Sequence, residues 1–538
     1  MAARRGEAIQ NRLADQTAKQ MTSDDLPMVT ICLVTHNSQN WLEAWFEGLS
    51  QSSYPKTKLS LSITDNASSD NTSDTIERLV KKHNFSHSTK FHKSESNLGF
   101  GKGQNLAISN AKSEFILVIN PDAVLKPDSL LNAVKFALYD EADICAWEFA
   151  QLPFEHPKYY DPVTLETSWN SHACVLLKTS AHTKVGGYDK NLFMYGEDVD
   201  LSYKLRLAGF RLRYLPWARV THNSLERYGK RSEQSFRIMA ANLCLRRRYG
   251  TLHDKIIGYL LFFRTQFSRD PDIRHSMKKA WPLYRKMRSN FTPVKRMDAY
   301  FPFNGFGFDR NRPNANVSLD ADVINVPKIS VITRVHKKTD ILGESLLTVV
   351  NQTYSNIEHI VVFDKCVPYL ISNQKIIQNN FSTRSEAANA GAEAATGDYL
   401  LFLDYDDLLF SDHLEGLMSA FKANPKAVCT YAISWEAMTD NRLLGRDQYM
   451  GIQVGMEAVF EPDSLKIRNS FAIQSVLIKK SAFMEVDGFN KGLDMLEDWD
   501  LWKRLAKLGD FKANSKVTSI FYTPSHLATR LKRSLDLT

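Results

Sequence analysis

This chain contains the same order of elements twice. The apolar run Phe115-Ile116-Leu117-Val118-Ile119 ends at Asn120-Pro121-Asp122, and Tyr399-Leu400-Leu401-Phe402-Leu403 ends at Asp404-Tyr405-Asp406-Asp407. Roughly 75 to 95 residues further on, each run is followed by an acidic pair that opens a helical pattern. The first pair, Glu197-Asp198, comes after Gly186-Gly187-Tyr188-Asp189, and the second, Glu497-Asp498, after Asp487-Gly488-Phe489-Asn490. A repeat of this length is a duplicated domain and not a short-period solenoid. At 538 residues the chain has room for two or three domains.

The elements around each run alternate. In the first half, Val29–Thr35 is a buried strand ending in His36-Asn37-Ser38, and Leu59–Thr64 is a strand that stops at Asp65. Trp41–Leu49 and Thr72–Val80 have helical spacing, the latter capped by Asn71 or Thr72. Ser96–Asn105 reads as a Gly-rich loop opening onto a helix. In the second half, strands at Ile329–Thr333 and Ile357–Phe363, the latter ending at Asp364, alternate with helices at Leu346–Gln352 and Arg384–Ala395. Strand–helix alternation predicts α/β domains with a mainly parallel sheet. Ligands of such sheets collect at the carboxyl ends of the strands, where His36, Asp65 and Asp122 lie.

The expected organisation is a polar extension over 1–27, a first domain over 28–250, a basic helical segment and linker over 251–326, and a second domain over 327–538. The segment 274–296 interleaves Lys and Arg with Trp281, Tyr284 and Phe291. It suits either an anionic membrane surface or a solvated helix pair. Net charge is +8, which favours anionic partners, but no nucleic-acid reader motif is present, so no nucleic acid is expected. The six cysteines are scattered without a CxxC pair, as free thiols of a reducing compartment are. With no signal-peptide core and no apolar run of spanning length, the expected location is cytoplasmic, with peripheral contact at the inner face of the membrane.

The acids set the chemistry. Asp404 and Asp406, two apart on an extended segment, would present hard oxygen ligands on one face to Mg²⁺ or Mn²⁺, completed by phosphate oxygens. The first half offers Asp122, with Asn120 as a weaker partner. His222, after Leu212–Val220, and His526, after Ile520-Phe521-Tyr522, are either further metal or diphosphate contacts or structural histidines. A carboxylate of each acidic pair could take a proton from an attacking hydroxyl, or could simply cap its helix.

These motifs resemble the inverting glycosyltransferases of family 2, with the GT-A fold. The first half is similar to the rhamnosyltransferase branch through Thr64–Asp70, Asn97–Asn105, Asn120-Pro121-Asp122 and Phe193–Asp200. The second half resembles the general branch through Asn351–Tyr354, Asn389-Ala390-Gly391, Gly397-Asp398-Tyr399, Asp404–Asp407 and Glu497–Trp502. The resemblance implies a nucleotide-sugar donor, a UDP- or dTDP-sugar, and a saccharide or lipid-linked saccharide acceptor. In the first half it places Thr35, Asp65, Gly99, Gly103, Asn105 and Asn120 at the nucleotide, Asp122 and His222 at the metal, and Asp198 as base, with Glu197 beside it. In the second half, Thr333, Asp364, Arg384 and Asn389 would hold the nucleotide and Asp404, Asp406 and His526 the metal, with Asp498 as base beside Glu497. The second half departs from the pattern at Asp364-Lys365-Cys366, at Ala388, and at Thr333-Arg334-Val335-His336. The expected activity is a bifunctional transfer. The alternative is one catalytic domain with a non-catalytic acceptor-binding partner.

Overall fold

The computed structural model describes residues 22–153, 155, 159–223, 231–294, 303, 326–339, 341–369, 373–438, 453–455 and 462–523, which fall in two compact units. The first opens with β1 (Val29–Thr35), α1 (Gln39–Ser50), β2 (Leu59–Asp65), α2 (Thr72–Lys82), β3 (Thr89–Lys93), α3 (Phe100–Ser109) and β4 (Phe115–Ile119). Every residue of β1 and β4 is buried, as strands covered on both faces must be. β1 runs parallel to β2 with Thr35 opposite Asp65, and parallel to β4, so the strand ends line up along one edge.

Next come β5 (Ala123–Leu125), α4 (Ser129–Tyr139), β6 (Ile144–Leu152), β7 (Glu166–Thr167), β8 (Cys174–Lys178), α5 (Thr179–Lys184), α6 (Glu197–Leu207) and β9 (Arg211–His222). The strand order is β3-β2-β1-β4-β8-β6-β9-β5, with β7 on β9. β8 is antiparallel to both its neighbours, while β6 and β9 are parallel. Three helices complete the unit: α7 (Arg231–Tyr249), α8 (Leu252–Gln266) and α9 (Pro271–Met287). They share an apolar cluster that includes Leu243, Phe262, Met277 and Tyr284.

The second unit repeats the scheme. Its elements are β10 (Ile329–Val335), α10 (Leu342–Val350), β11 (Ile357–Asp364), β12 (Lys375–Asn379), α11 (Arg384–Ala394), β13 (Tyr399–Asp404), β14 (Leu408–Leu409) and α12 (His413–Ala423). These are followed by β15 (Cys429–Met438), β16 (Gln453–Gly455), β17 (Val476–Lys479), α13 (Lys480–Glu485), α14 (Glu497–Leu505) and β18 (Phe511–Thr523). The order β12-β11-β10-β13-β17-β15-β18-β14 is that of the first sheet, strand for strand. The result is the α/β architecture of two GT-A domains in tandem.

Three local expectations need correction. The Gly-rich stretch is not a loop beyond Gly99, because α3 begins at Phe100. A Cβ on Gly103 would lie 2.9 Å from Val34 Cγ1, and one on Gly391 would lie 2.5 Å from Ile332 Cγ2. These glycines therefore serve close approach of helix to sheet. The α2 start is held by neither Asn71 nor Thr72 acting as cap acceptor, since Asp70 Oδ1 accepts the Thr72 N–H at 3.1 Å. Asp404 and Asp406 do not share one extended face. The chain turns after Asp404, with Asp407 N–H donating to Asp404 O at 3.0 Å, and Ala123 closes the same turn onto Asn120 O at 3.1 Å.

A buried ion pair ties α4 to the sheet of the first unit. Arg213 on β9 donates through Nε and Nη2 to the two oxygens of Asp140, each at 2.7 Å, and Trp147 Nε1 donates to Asp140 at 2.8 Å. Both charged side chains are almost fully buried. Removing Asp140 takes both of these charge-assisted bonds from a guanidinium that is almost fully buried, leaving the half-buried Glu141, 2.8 Å from Nη2, as its carboxylate. Asp140→Ala is therefore expected to destabilise the first unit by about 3–5 kcal/mol in urea unfolding; a loss below about 1 kcal/mol, the range of an exposed pair, would contradict this.

Candidate active site

At the carboxyl edge of the first sheet, Thr35 Oγ1 donates to Asp65 at 2.9 Å. Asp65 also accepts from Ser68 N–H, Ser68 Oγ and Ser73 Oγ. Its carboxylate thus organises the turn that leads into α2. Asn66 reaches across to the next loop, donating to Gly99 O at 3.1 Å and accepting from Leu98 N–H at 2.7 Å. Gly99 has φ +82°, and a Cβ there would lie 2.1 Å from Phe193 O. Only glycine lets the two loops touch here.

The segment before the first acidic pair is fixed from several sides. Asn105 holds Tyr188 at two points, donating to its carbonyl and accepting its N–H, both at 2.9 Å. Asn389 holds Phe489 in the same way, at 2.8 and 2.9 Å. Both asparagines were expected at the nucleotide; the structure commits most of their amide capacity to positioning this segment. Arg248 bridges Asp189 and Asp200, each at 2.7 Å, and Asn290 donates to Asn191 at 3.0 Å. Arg248 is a contact that sequence reasoning missed, because it sits in the run Arg246-Arg247-Arg248, which reads as solvated charge.

Each acidic pair starts its helix behind a left-handed residue. Tyr195 (φ 71°) and Gly196 (φ 87°) precede Glu197, and Leu496 (φ 57°) precedes Glu497. A Tyr or Leu in this region is strained, which is common where a site is being shaped. Both glutamates are buried. Burial, with Asp198 alongside, pushes Glu197 up to about 8, so it holds its proton at neutral pH. Burial and the adjacent Glu497 push Asp498 up to about 6, while Asn469 Nδ2 donates to it at 2.9 Å.

The two units differ most at the strand-end acid. In the first, the Asp122 carboxylate is fully buried, and His222 Nε2 lies 3.6 Å from Asp122 Oδ1. His222 Nδ1 pairs with Gln151 Oε1 at 2.8 Å, so Nδ1 donates to the amide oxygen and the ring edge with Nε2 faces the carboxylate. A carboxylate and an imidazole nitrogen facing each other are a donor set that fits a divalent cation whose remaining ligands are diphosphate oxygens. Among the described residues no cluster of three or more protein ligands occurs. Asn120 is half-buried at the same strand end, and its N–H donates to Ala173 O at 2.8 Å.

In the second unit, Asp404 takes Asn120's place and Asp406 that of Asp122, and both oxygens of Asp404 are held by guanidinia. Arg334 Nε donates to Oδ1 at 3.0 Å and Arg384 Nη2 to Oδ2 at 2.9 Å. Both arginines also reach Glu497 Oε1 at 2.9 Å. Burial alone would raise Asp404, but the two guanidinia hold it below the usual carboxylate range. This network brings the strand-end acid and the acidic pair together. Two carboxylates are balanced by two cations there, so a metal held by Asp404 does not fit. The β14–β18 register, with Leu409 opposite Ser519, matches Leu125 opposite Val220 and puts Phe521 where the first unit has His222. His526 lies outside the described residues.

The nucleotide end of the second unit also differs. The register of β10 and β11 puts Val335 opposite Phe363, the counterparts of Thr35 and Asp65. Thr333 lies two residues back inside the strand, bonded to His359 Nε2 at 2.9 Å. Asp364 accepts from Phe381 N–H at 2.9 Å. Arg334 was legible only as a lone charge inside an apolar strand.

Family models for "Glycosyl transferase family 2" and "Glycosyltransferase like family 2" match residues 30–173 and 330–528. Rhamnosyltransferase WbbL of Escherichia coli (strain K12) is 30% identical, over 23% of this chain and 60% of its own length. N-acetylglucosaminyl-diphospho-decaprenol L-rhamnosyltransferase of Mycobacterium tuberculosis (strain ATCC 25618 / H37Rv) is 40% identical, over 13% of this chain and 23% of its own length. The chain therefore spans less than two thirds of these relatives. Among solved structures, the mannosyltransferase PcManGT from Pyrobaculum calidifontis in complex with GDP-Man and Mn²⁺ is 16% identical. It covers 57% of this chain and 92% of its own, with a TM-score of 0.36. Two family matches, one on each copy of the repeated sheet, identify the chain as a tandem member of glycosyltransferase family 2.

Proposed function

We propose that both units transfer a sugar from a nucleotide-sugar donor with inversion, and that together they extend a saccharide on a lipid carrier at the cytoplasmic face of the membrane. The observation that carries this reading is the buried Glu followed by Asp behind a left-handed residue, present at the same place in both units. The rhamnosyltransferase relatives support dTDP-rhamnose as the donor of the first unit.

In this reading Asp198 and Asp498 are the bases. Each accepts the proton of an acceptor hydroxyl as its oxygen bonds to the anomeric carbon. The bond to the diphosphate breaks on the opposite face, so a single displacement inverts the centre. Glu197, protonated, can donate a hydrogen bond to the acceptor without adding charge beside Asp198. In the first unit Asp122 and His222 would hold Mg²⁺ or Mn²⁺, which when bound neutralises charge on the diphosphate. In the second unit Arg384, the more exposed of the two arginines, supplies positive charge for that leaving group. A second reading, in which the second unit only binds acceptor, is favoured by Val335 and Phe363 standing where the first unit has Thr35 and Asp65.

Asp198→Asn and Asp498→Asn are each expected to lower one transfer by about 10²–10⁴-fold and leave the other intact, read by product mass. A doubly extended product from either variant would sink the two-site reading, and a silent Asp498→Asn would select the acceptor-binding alternative. Because Asp498 must be ionised to accept a proton, the transfer that survives in Asp198→Asn should fall about tenfold per pH unit below about 6 and be flat above 7. A flat profile down to pH 5 would exclude Asp498 as base. EDTA should lower the transfer that survives in Asp498→Asn at least about tenfold, and the one that survives in Asp198→Asn by less than about twofold. Equal sensitivity would contradict the difference between the two sites.

A further inference from the structure

Helix α8 has two faces of opposite character. Asp254, Gly258 and Phe262 are buried on one side. The other side carries Leu252, Ile256, Leu260 and Phe263, continued by Phe267 just past the helix end, all between 50% and 83% exposed. The spacings of four, four, three and four residues put them on a single stripe. Five large apolar groups in one line are more than scattered surface residues.

The helix is not loosely placed. A Thr251–Asp254 capping box fixes its start, with Thr251 N–H donating to Asp254 at 2.7 Å and Asp254 N–H to Thr251 Oγ1 at 3.2 Å. Arg246 Nη1 donates to Asp254 O at 2.8 Å, and a Cβ on Gly258 would lie 2.6 Å from Arg246 Cδ. The inner face is pinned, so the outer stripe is a defined surface.

We propose that the α8 stripe seats in the headgroup–acyl boundary of an anionic bilayer, with the helix lying in the plane of the leaflet. Charge selects this occupant. Between Leu252 and Arg288 basic residues outnumber acidic ones nine to three, and one of the three, Asp254, is buried. Arg264 flanks the stripe, and Arg274, Lys278 and Lys279 are exposed on the following helix. An apolar stripe with cations at its margin is the pattern of an interfacial helix. A symmetric pairing of two chains through α8 would set the same cations against each other. No described helix is long and apolar enough to cross a membrane. This places the contact on α8, upstream of the 274–296 segment that the sequence suggested. The helices around it also grip the segment before Glu197, through Arg248 and through Leu192 in the shared cluster. The surface contact and the first acidic pair thus belong to one packed body.

The test is flotation of the full chain with phosphatidylcholine vesicles, with and without roughly 30% phosphatidylglycerol. Wild type should float with the anionic vesicles and far less with the neutral ones. Leu260→Glu/Phe263→Glu should lower the bound fraction at least about tenfold with an unchanged melting curve, since both positions are exposed. Leu260→Met/Phe263→Leu should retain binding. If the double Glu variant melts early, Phe267→Glu, just beyond the helix, carries the test and should still lower binding severalfold. Undiminished flotation of the Glu variants, or no flotation of wild type, would overturn the proposal. A wild-type dimer in sedimentation that the Glu variant turns into a monomer, without vesicle binding, would assign the stripe to a second copy instead.

Discussion

A carboxylate buried at the first turn of a helix is the constraint on which each unit depends. Glu197 and Glu497 stand at equivalent places and both are buried, and a charge taken out of water needs compensation. The helix start supplies only a fraction of a charge. The two units meet this requirement differently. In the first, Val34 and Phe100 occupy the places of Arg334 and Arg384, and burial with Asp198 alongside leaves Glu197 protonated. The second supplies two guanidinia. The left-handed residue before each helix and the asparagine clamp on the preceding segment set where that side chain stands.

The consequences diverge with pH. A carboxyl raised to about 8 in the folded state is neutral there, while the unfolded chain ionises at its ordinary value. Glu197 therefore takes stability from the first unit progressively as pH rises from about 4 to 8, and adds no such dependence below that window. Asp404 has the opposite sign. Held low by Arg334 and Arg384, it stabilises the second unit above the ordinary carboxylate range, and that contribution is lost as acid protonates it. One fold therefore carries two electrostatic versions of one site, and the chemistry assigned to each follows from which groups are left to meet a diphosphate.

Much of the fold was legible in the sequence because strands buried on both faces are written as unbroken apolar runs. Phe115–Ile119 and Tyr399–Leu403 are such runs, and their identical sequels gave the duplication away. The acidic pairs were legible for the same reason. Register and side-chain pairing were not. Thr333 looks equivalent to Thr35, yet counting from the first residue of each ladder puts Val335 in that place. Gly103 looks like loop, yet it is helix, because the need for close approach to Val34 comes from the sheet and not from neighbours in sequence. Arg248 and Arg334 look like surface charge and a departure from pattern. Both are bridges whose partners lie 48 to 163 residues away, a separation that periodicity does not encode. The exposed stripe on α8 was hidden because an apolar helix face looks the same in sequence whether the fold covers it or not.

What joins these observations under the proposed function is a division of labour within one chain: two copies of one frame, with different charge beside the acidic pair. The most direct measurement is the mass of product formed by the wild-type chain from one acceptor offered mixtures of UDP-, dTDP- and GDP-sugars. The account predicts two sugar increments from two different donors. A single increment under every donor combination would contradict it.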